Sequence, residues 1–476
     1  MRSPRFRFPL ATAAVVVLAL GHAGRGPAAA EALSANQQLA FDVYKELVEI
    51  DTTTATGDTK KAAEAMAARL RAAGFREADA QALSPAPRKG NLVARLRGSG
   101  ARKPILLLAH IDVVPAARED WLTDPFKLVE KDGWYYARGS GDDKYMAASF
   151  VANLIRYKQE GYKPDRDIIL ALETDEEILD RDKLGVQWLL KNHHDLIDAE
   201  FALNEGGGVG LKDGKPLRNT VQTSEKVSLS YQLDVKNKGG HSALPVKDNA
   251  IYRLAAGLTR LSEFGFPVSL NETTRVYFEK MAQMEGGQLS EDLRAVLAGE
   301  TDLASPAVAR LLANPTYNAQ LRTTCVATML EGGSAINALP QLATAKVNCR
   351  IMPGEPVDQV RAALVKTLAD DQITVTQLDE PTLSAPSALS DDIMGPIAKL
   401  SAEFYPGAVV IPTMVAGATD GSYLRNAGIP TYGHSGLASD IGESRAHGRD
   451  ERILVSSFYK GNEYLYRLVK ELSGGK

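Results

Sequence analysis

The sequence predicts an α/β fold, with a mostly parallel sheet covered by helices on both faces and a smaller ferredoxin-like α+β domain inserted into it. The first observation is a series of short, wholly apolar strand patterns that alternate with helix patterns, as in sheets buried on both faces. The second is a β-α-β-β-α-β order in the middle of the chain. The third is the length of 476 residues, for which about two domains are expected.

The first part of the chain carries the alternating patterns. Leu39, Val43, Leu47 and Ile50 have helical spacing, and Gly74 ends an Ala-rich helix. The predicted elements are helices containing 39–50, 59–73 and 146–160 and strands at 91–96, 105–109 and 167–173. The two later strands are wholly apolar or nearly so, which favours burial in a parallel sheet.

The ferredoxin-like order begins at a strand that contains Ser228, Tyr231 and Val235. Its other predicted elements are a helix at 250–261, strands at 323–329 and 344–351, a helix at 357–368 and a strand at 374–378. A polar, helix-prone stretch, 271–322, interrupts this order, and an amphipathic helix at 453–472 closes the chain. We therefore expect the larger domain at 31–222 and 386–476 and the inserted domain at 223–385.

The first 30 residues are expected to be a signal peptide. Three arginines precede a short apolar run, and Ala28 and Ala30 fit the small-residue cleavage pattern. The alternative is an uncleaved N-terminal anchor, although the run is short for a membrane span and no later stretch is long enough. A periplasmic or secreted protein without a transmembrane segment after cleavage is predicted.

Composition excludes some classes of partner and site. The net charge is −4 and no basic stripe is interleaved with aromatic residues, so nucleic acid is not an expected partner. Cys325 and Cys349 are too few for a thiolate metal site or a disulfide-dense scaffold. They fall on adjacent predicted strands, around a connection centred on Asn337. A disulfide and two buried free thiols are both compatible with this placement.

Polar residues collect just after the predicted strands, at the edge where ligands bind in open α/β sheets. Two histidines and several carboxylates suit Zn²⁺ or a similar divalent ion. Singly, each residue is also compatible with a hydrogen-bonded rim position or a solvated helix start. The residues are His110, Asp112, Asp142, Asp143, Glu176, Glu177, Glu205 and His447.

Their joint order resembles the zinc-dependent M20 family of peptidases and amidohydrolases, which includes glutamate carboxypeptidase, aminoacylase-1, succinyl-diaminopimelate desuccinylase and carboxypeptidase S. The resemblance runs from about His110 to Glu451. The motifs that carry it, in the family's order, are AHIDVVP, RGSGDDK, TDEE, NEGGG, GGHSALP, NALP, CRIMPG, GATDGS and AHGRDE. It implies a zinc-peptidase catalytic domain with an inserted lid or dimerisation domain.

The resemblance implies a site with two Zn²⁺ ions per subunit, with Co²⁺ or Mn²⁺ as alternatives. His110 and Glu205 would bind one ion, Glu177 and His447 the other, and Asp142 both. Asp112 would fix the tautomer of His110, and the peptide bond after Asp142 would be cis. Glu176 would be the general base that activates water and later protonates the leaving amine.

The inserted domain is expected to complete the site. By resemblance, His241 of GGHSALP stabilises the oxyanion, commonly from the partner subunit of a dimer. Asn337 and Arg350 would hold the carboxylate of the substrate, and Gly417 would border it. A structural ion pair is the other interpretation of Arg350.

The sequence departs from the family pattern in three places. ILDRD follows TDEE where many relatives have a glycine, so the helix start there is expected to differ. The insertion 271–322 is longer than a minimal lid, and since some long-lidded relatives are monomers, it leaves the expected homodimer open. His193, His194 and His434 have no family role, and we expect them at the surface or rim.

The resemblance implies that the protein hydrolyses the amide bond beside a free carboxylate in small peptides, which is a carboxypeptidase-like activity. An N-acyl-amino-acid amidohydrolase is the main alternative. An aminopeptidase of the M28 group would lack the inserted lid, and a non-catalytic binding module would have lost ligands that are all present here. The preferred substrate side chain does not follow from any motif.

Overall fold

The computed structural model describes residues 32–178 and 183–474. The predicted signal peptide, and most of the ILDRD segment with its predicted change of helix start, lie outside the described residues. The helices are α1 (Ala35–Val48), α2 (Thr59–Ala72), α3 (Lys144–Gln159), α4 (Val186–Asn192), α5 (His194–Ile197), α6 (Ala250–Glu263), α7 (Glu272–Met284), α8 (Gly287–Leu297), α9 (Pro306–Leu312), α10 (Pro315–Leu321), α11 (Val357–Leu368), α12 (Asp391–Phe404), α13 (Gly421–Asn426) and α14 (Val455–Ser473).

The strands fall into one large sheet, a four-stranded sheet and two small ladders within the described ranges. They are β1 (Ala80–Ala86), β2 (Lys89–Leu96), β3 (Ile105–His110), β4 (Val129–Lys131), β5 (Trp134–Tyr136), β6 (Ile168–Glu173), β7 (Phe201–Asn204), β8 (Val209–Lys212), β9 (Lys215–Glu225), β10 (Val227–Lys236), β11 (Gly240–His241), β12 (Thr324–Gly332), β13 (Ala338–Leu339), β14 (Leu342–Ile351), β15 (Ile373–Gln377), β16 (Val409–Val415), β17 (Thr431–Gly433), β18 (Ala438–Asp440) and β19 (Arg452–Leu454).

The large sheet has the order β1-β2-β6-β3-β7-β17-β9-β8-β18, and β16 pairs with β9. Its central strands β6, β3, β7 and β17 run parallel. Strands β1 and β2 pair antiparallel with their neighbours, and β8 pairs antiparallel with β9 but parallel with β18. Alternate residues of β3 enter two separate apolar clusters, Leu107 on one face and Leu106 on the other. Helices therefore cover both faces, as predicted from the wholly apolar strands.

The inserted domain is a four-stranded antiparallel sheet in the order β12-β14-β10-β15. Helices α6 and α11 bury one face of this sheet, where Leu229, Leu254 and Leu364 are at most 1% exposed. This order is that of a ferredoxin-like β-α-β-β-α-β unit, and the predicted fold class is confirmed. Edge strand β12 differs from its neighbours, because most of its residues are exposed.

The stretch 271–322 forms helices α7 to α10, as its helix-prone composition predicted. Asn271 caps α7 through the N–H of Thr274, and prolines begin α9 and α10, where a missing N–H costs least. The apolar cluster of these helices includes Phe278 and Ile411 of β16. The insertion therefore packs against the large sheet, although it is covalently part of the inserted domain.

Cys325 of β12 and Cys349 of β14 are direct partners in the antiparallel ladder and form a disulfide. The structure thus decides between the two alternatives that the sequence left open. The bond links the exposed edge strand β12 to the interior strand β14 of the four-stranded sheet. No helix of the described residues is both long and apolar enough to cross a bilayer.

Candidate active site

The predicted polar residues meet at one edge of the large sheet. His110 ends β3, Glu176 and Glu177 follow β6, and Glu205 follows β7. Because β6, β3 and β7 are parallel neighbours, their carboxyl ends place these side chains side by side. Asp142 comes from the loop before α3, and His447 from the loop before β19.

The residues form two groups that share Asp142. We call His110, Asp142 and Glu205 the first ligand group, and Asp142, Glu177 and His447 the second. His110 Nε2 lies 2.9 Å from Asp142 Oδ1 and 3.9 Å from Glu205 Oε2. His447 Nε2 lies 3.2 Å from Asp142 Oδ2 and 3.0 Å from Glu177 Oε1. Each oxygen of Asp142 therefore faces a different group.

Donor chemistry and burial make these groups fit divalent cations. Each group offers one imidazole nitrogen and carboxylate oxygens, and the candidate donor atoms of each group lie within 4.8 Å of one another. Burial raises the pKa of the Glu177 carboxyl and holds the pKa of Glu205 well above its usual range. Among the described residues no lysine or arginine lies within 4 Å of Asp142, Glu177 or Glu205 to offset their charge. A cation would supply that charge.

The second group is the more exposed of the two. The side chain of His447 is 57% exposed, whereas that of His110 is 1% exposed. A hydrogen bond with Asp142 and the charge of Glu177 raise the pKa of His447 to about 9. His447 also has a positive φ of 61° in its loop. The position of the His447 side chain therefore depends on what holds the backbone of this loop.

Glu176 lies next to the second group, and it makes no ion pair within the described part of the chain. Burial raises the pKa of its carboxyl to about 8. The Asp112 carboxylate accepts the backbone N–H groups of Glu176 and Glu177, at 3.2 and 3.1 Å. Its Oδ1 lies 3.6 Å from His110 Nδ1, and its backbone oxygen lies closer, at 3.0 Å. Asp112 thus connects the loop after β3 to the loop after β6. In the neighbouring loop, the peptide bond between Asp142 and Asp143 is cis.

The predicted substrate residues of the inserted domain belong to neither ligand group. His241 is exposed in the short β11–β13 ladder, and its Nδ1 accepts the N–H of Ala243 at 3.0 Å. Asn337 is exposed. It lies beside His241, since the Asn337 carbonyl accepts the N–H of Ser242. Arg350 is half-buried on β14 and has no carboxylate within 4 Å among the described residues; its Nε donates to Asn348. Gly417 lies in the loop between β16 and α13.

The comparison with known proteins decides the family. The sequence profile described as peptidase family M20/M25/M40 matches residues 106–471. The chain belongs to peptidase family M20. It is therefore a metal-dependent hydrolase of amide bonds, and the predicted family and enzyme class are confirmed.

Two curated relatives and one solved structure give the range of the M20 similarity. N-fatty-acyl-amino acid synthase/hydrolase PM20D1 of Mus musculus is 29% identical, over 77% of this chain and 74% of that protein. A probable carboxypeptidase S-like 2 of Dictyostelium discoideum is 28% identical, over 77% and 71%. The M20 metallo-carboxypeptidase Sso-CP2 of Sulfolobus solfataricus has a TM-score of 0.67 at 19% identity, over 91% and 99%. The last comparison concerns the fold alone.

Buried charges lie behind the site of this M20 enzyme, and the sequence did not reveal them. Glu451 and Arg138 pair at 2.8 Å, each with a side chain 3% exposed. Asp420 is buried near Glu173, and Lys183 lies 3.7 Å from Asp420 Oδ1 while donating to the carbonyl of Glu176. Arg138 and Glu451 lie inside RGSGDDK and AHGRDE. A charged residue within a glycine-containing motif was the signal available, but sequence alone does not reveal burial.

The prediction that His434 lies at the surface or rim is wrong, because its side chain is 0% exposed. Its Nδ1 donates to the Thr220 carbonyl at 3.0 Å, and its Nε2 accepts the Tyr464 hydroxyl at 2.8 Å. Burial lowers its pKa to about 4, so the imidazole is neutral and fully hydrogen-bonded. His194 is exposed, and His193 is half-buried against Trp188.

Proposed function

We propose that the chain is a dinuclear metallohydrolase that cleaves the amide bond beside a free carboxylate in small peptides or N-acyl amino acids. The observation that carries this proposal is the pair of ligand groups sharing Asp142, together with the buried Glu176 carboxyl, which interacts electrostatically with His110 and Glu177. The first group would hold one ion and the second group the other. Nitrogen and oxygen donors suit Zn²⁺, and Co²⁺ and Mn²⁺ also fit.

Glu176 would carry the proton transfers. Two bound divalent ions would lower the pKa of water and polarise the scissile carbonyl. Glu176 would take the proton of the attacking water and deliver it to the leaving amine. Burial favours its protonated form, and nearby positive charge favours the carboxylate, so the residue is suited to exchange a proton. Asp112 would keep Glu176 in place through the backbone N–H.

Arg350 would recognise the substrate carboxylate. Burial lowers its pKa, and the described residues place no carboxylate within 4 Å of its guanidinium, so the fork is available for an anion. This argues against the alternative of a structural ion pair. Asn337 and Gly417 would complete the substrate contacts. The relative named N-fatty-acyl-amino acid synthase/hydrolase supports an N-acyl amino acid, and the relative named carboxypeptidase S-like supports a peptide.

His241 would act from the second subunit of a homodimer. Within the described residues, strand β12 has no partner on the outer edge of the four-stranded sheet, and the apolar residues Val326, Met329 and Leu330 are 61%, 49% and 67% exposed there. Such an edge favours pairing with a second copy of the strand. The exposure of His241, outside both ligand groups, fits a role at the oxyanion of the partner's site.

The proposed compartment is the periplasm or the exterior. The signal peptide proposed for residues 1–30 would direct export. The disulfide between Cys325 and Cys349 supports an oxidising environment, because such bonds are rare in reducing compartments.

A substrate panel tests the proposed reaction. Dipeptides, N-acetyl amino acids and N-fatty-acyl amino acids would be incubated with the metal-loaded enzyme, each beside its C-terminal amide as a matched control. We expect cleavage of the free acids, poor cleavage of the amides, loss of activity with a chelator and recovery with Zn²⁺ or Co²⁺. Equal cleavage of acids and amides would refute carboxylate recognition, and activity that survives complete metal removal would refute the metallohydrolase.

Mixing two inactive variants tests the dimer. His241→Ala and Glu176→Ala homodimers should each be nearly inactive, but a mixed dimer has one site with both residues intact. Random reassembly makes about half of the dimers mixed, so roughly a quarter of the wild-type activity is the ceiling. Confirmed subunit exchange without recovered turnover would show that His241 serves its own chain.

A further inference from the structure

The loop that presents Asp142 is held by one buried carboxylate. Glu451 Oε1 accepts the N–H groups of Gly141 and Asp142, at 2.8 and 3.2 Å. Glu451 Oε2 accepts the N–H of Gly139 at 3.0 Å and Nη1 of Arg138 at 2.8 Å. Three backbone donors of one turn therefore converge on a single anion, which is 2% exposed.

Arg138 extends this contact to the loop that carries His447. Its Nη2 donates to the carbonyl of Gly448 at 2.9 Å, directly after His447 in sequence. The guanidinium lies 5.0 Å from the ring centroid of Trp121, which packs on it. One buried pair thus contacts the backbone on both sides of the second ligand group.

The turn leaves no room for a side chain at Gly139. Gly139 has a φ of 75°, and a Cβ there would lie 2.7 Å from Val113 Cγ1. His447 and Asp450 also have positive φ, at 61° and 52°. Such loops keep one conformation only where their surroundings determine it. In the described structure, Glu451 and Arg138 provide hydrogen bonds that do so.

We infer that Glu451 and Arg138 are positioning residues that align Asp142 and His447 for the ion of the second ligand group. The inference rests on the proposed function, because it assumes that this group binds a metal. The first group depends less on the pair, since His110 and Glu205 follow strands β3 and β7 of the sheet. Loss of the pair should therefore weaken the second ion, whose group contains both Asp142 and His447, more than the first, whose group contains only Asp142 of these two.

Metal titration of Glu451→Gln tests this assignment. The substitution keeps the shape of the side chain but replaces one acceptor with a donor that faces backbone N–H groups. Metal-free protein would be titrated with Zn²⁺ and Co²⁺ by equilibrium dialysis and elemental analysis. We expect the second ion to bind about 10–100-fold more weakly, and the first ion to lose less affinity because its group is affected through Asp142 alone. Activity should then recover as the Co²⁺ concentration is raised.

Glu225→Gln is the matched control. Glu225 is also buried, pairs with Arg425 at 2.9 Å and accepts the N–H of Thr419 at 3.1 Å, but it has no contact with the Asp142 loop. Its substitution should leave both metal affinities unchanged. Equal weakening in both variants would show a general loss of stability and overturn the inference.

A second variant covers the case in which Glu451→Gln does not fold. Arg138→Lys keeps the positive charge but removes the planar guanidinium that reaches both Glu451 and Gly448, so it should also weaken the second ion more than the first. Wild-type affinity for both ions in whichever of these variants folds would overturn the inference. A wild-type chain that does not bind two ions would refute the proposed function, and the inference with it.

Discussion

His434 should make the stability of the protein depend on pH between about 6.5 and 4. The folded chain holds its pKa at about 4, whereas the ordinary value is 6.5. As the pH falls below 6.5, His434 becomes protonated in the unfolded chain but stays neutral in the folded chain, so the free energy of unfolding decreases. Below pH 4 the folded chain is protonated as well, and the decrease levels off. Above 6.5 both states are neutral and His434 contributes no pH dependence.

The size of the effect follows from the two pKa values. Linkage gives a loss of about 1.4 kcal/mol at pH 5.5 and about 2.5 kcal/mol at pH 4.5, relative to neutral pH. Other groups titrate in the same range, so His434→Gln is the reference. Glutamine can donate to the Thr220 carbonyl and accept the Tyr464 hydroxyl, as the neutral imidazole does, without titrating.

Urea unfolding of metal-free wild type and His434→Gln at pH 7.5, 5.5 and 4.5 would measure the difference. The free energy of unfolding of the wild type should fall more steeply, by the amounts given above. Parallel pH profiles for the two proteins would contradict the view that His434 is buried in its neutral form.

Two further predictions concern the inserted domain. Reducing the disulfide, or replacing Cys325 and Cys349 with serine, should lower the free energy of unfolding by about 3.5 kcal/mol, since the bridge spans 24 residues of sequence. An unchanged midpoint of urea unfolding would contradict this. Arg350→Met should raise KM for carboxylate substrates about 10–100-fold, with a smaller effect on kcat. Arg350→Lys should raise KM less than Arg350→Met does. Equal KM values for wild type and Arg350→Met would contradict the role of Arg350.

The sequence predicted strands β2, β3 and β6 and the clustering of polar residues, because both have local signals. A wholly apolar run such as 105–109 is short for a helix and favours a buried strand. A polar residue at its end, His110, then lies at the edge of the sheet. The ferredoxin-like order followed from element order in the same way. These inferences need no knowledge of distant contacts.

What the sequence could not predict depends on distant contacts. A histidine such as His434 has the same local pattern whether Thr220 and Tyr464 enclose it or water does. Glu451 and Arg138 lie 313 residues apart, so neither shows that it is buried against the other. Helices α7 to α10 are amphipathic, which predicts a buried face but not that β16 covers it. The disulfide likewise required the register of β12 and β14.

Metal content and turnover, measured in one preparation of Glu176→Gln, test the proposed mechanism most directly. Glu130→Gln, at an exposed position, is the control. We expect Glu176→Gln to retain two ions per chain while kcat falls about 10²- to 10⁴-fold, because the water has lost its base. Near-normal kcat with both ions bound would contradict the assignment of Glu176 as the base.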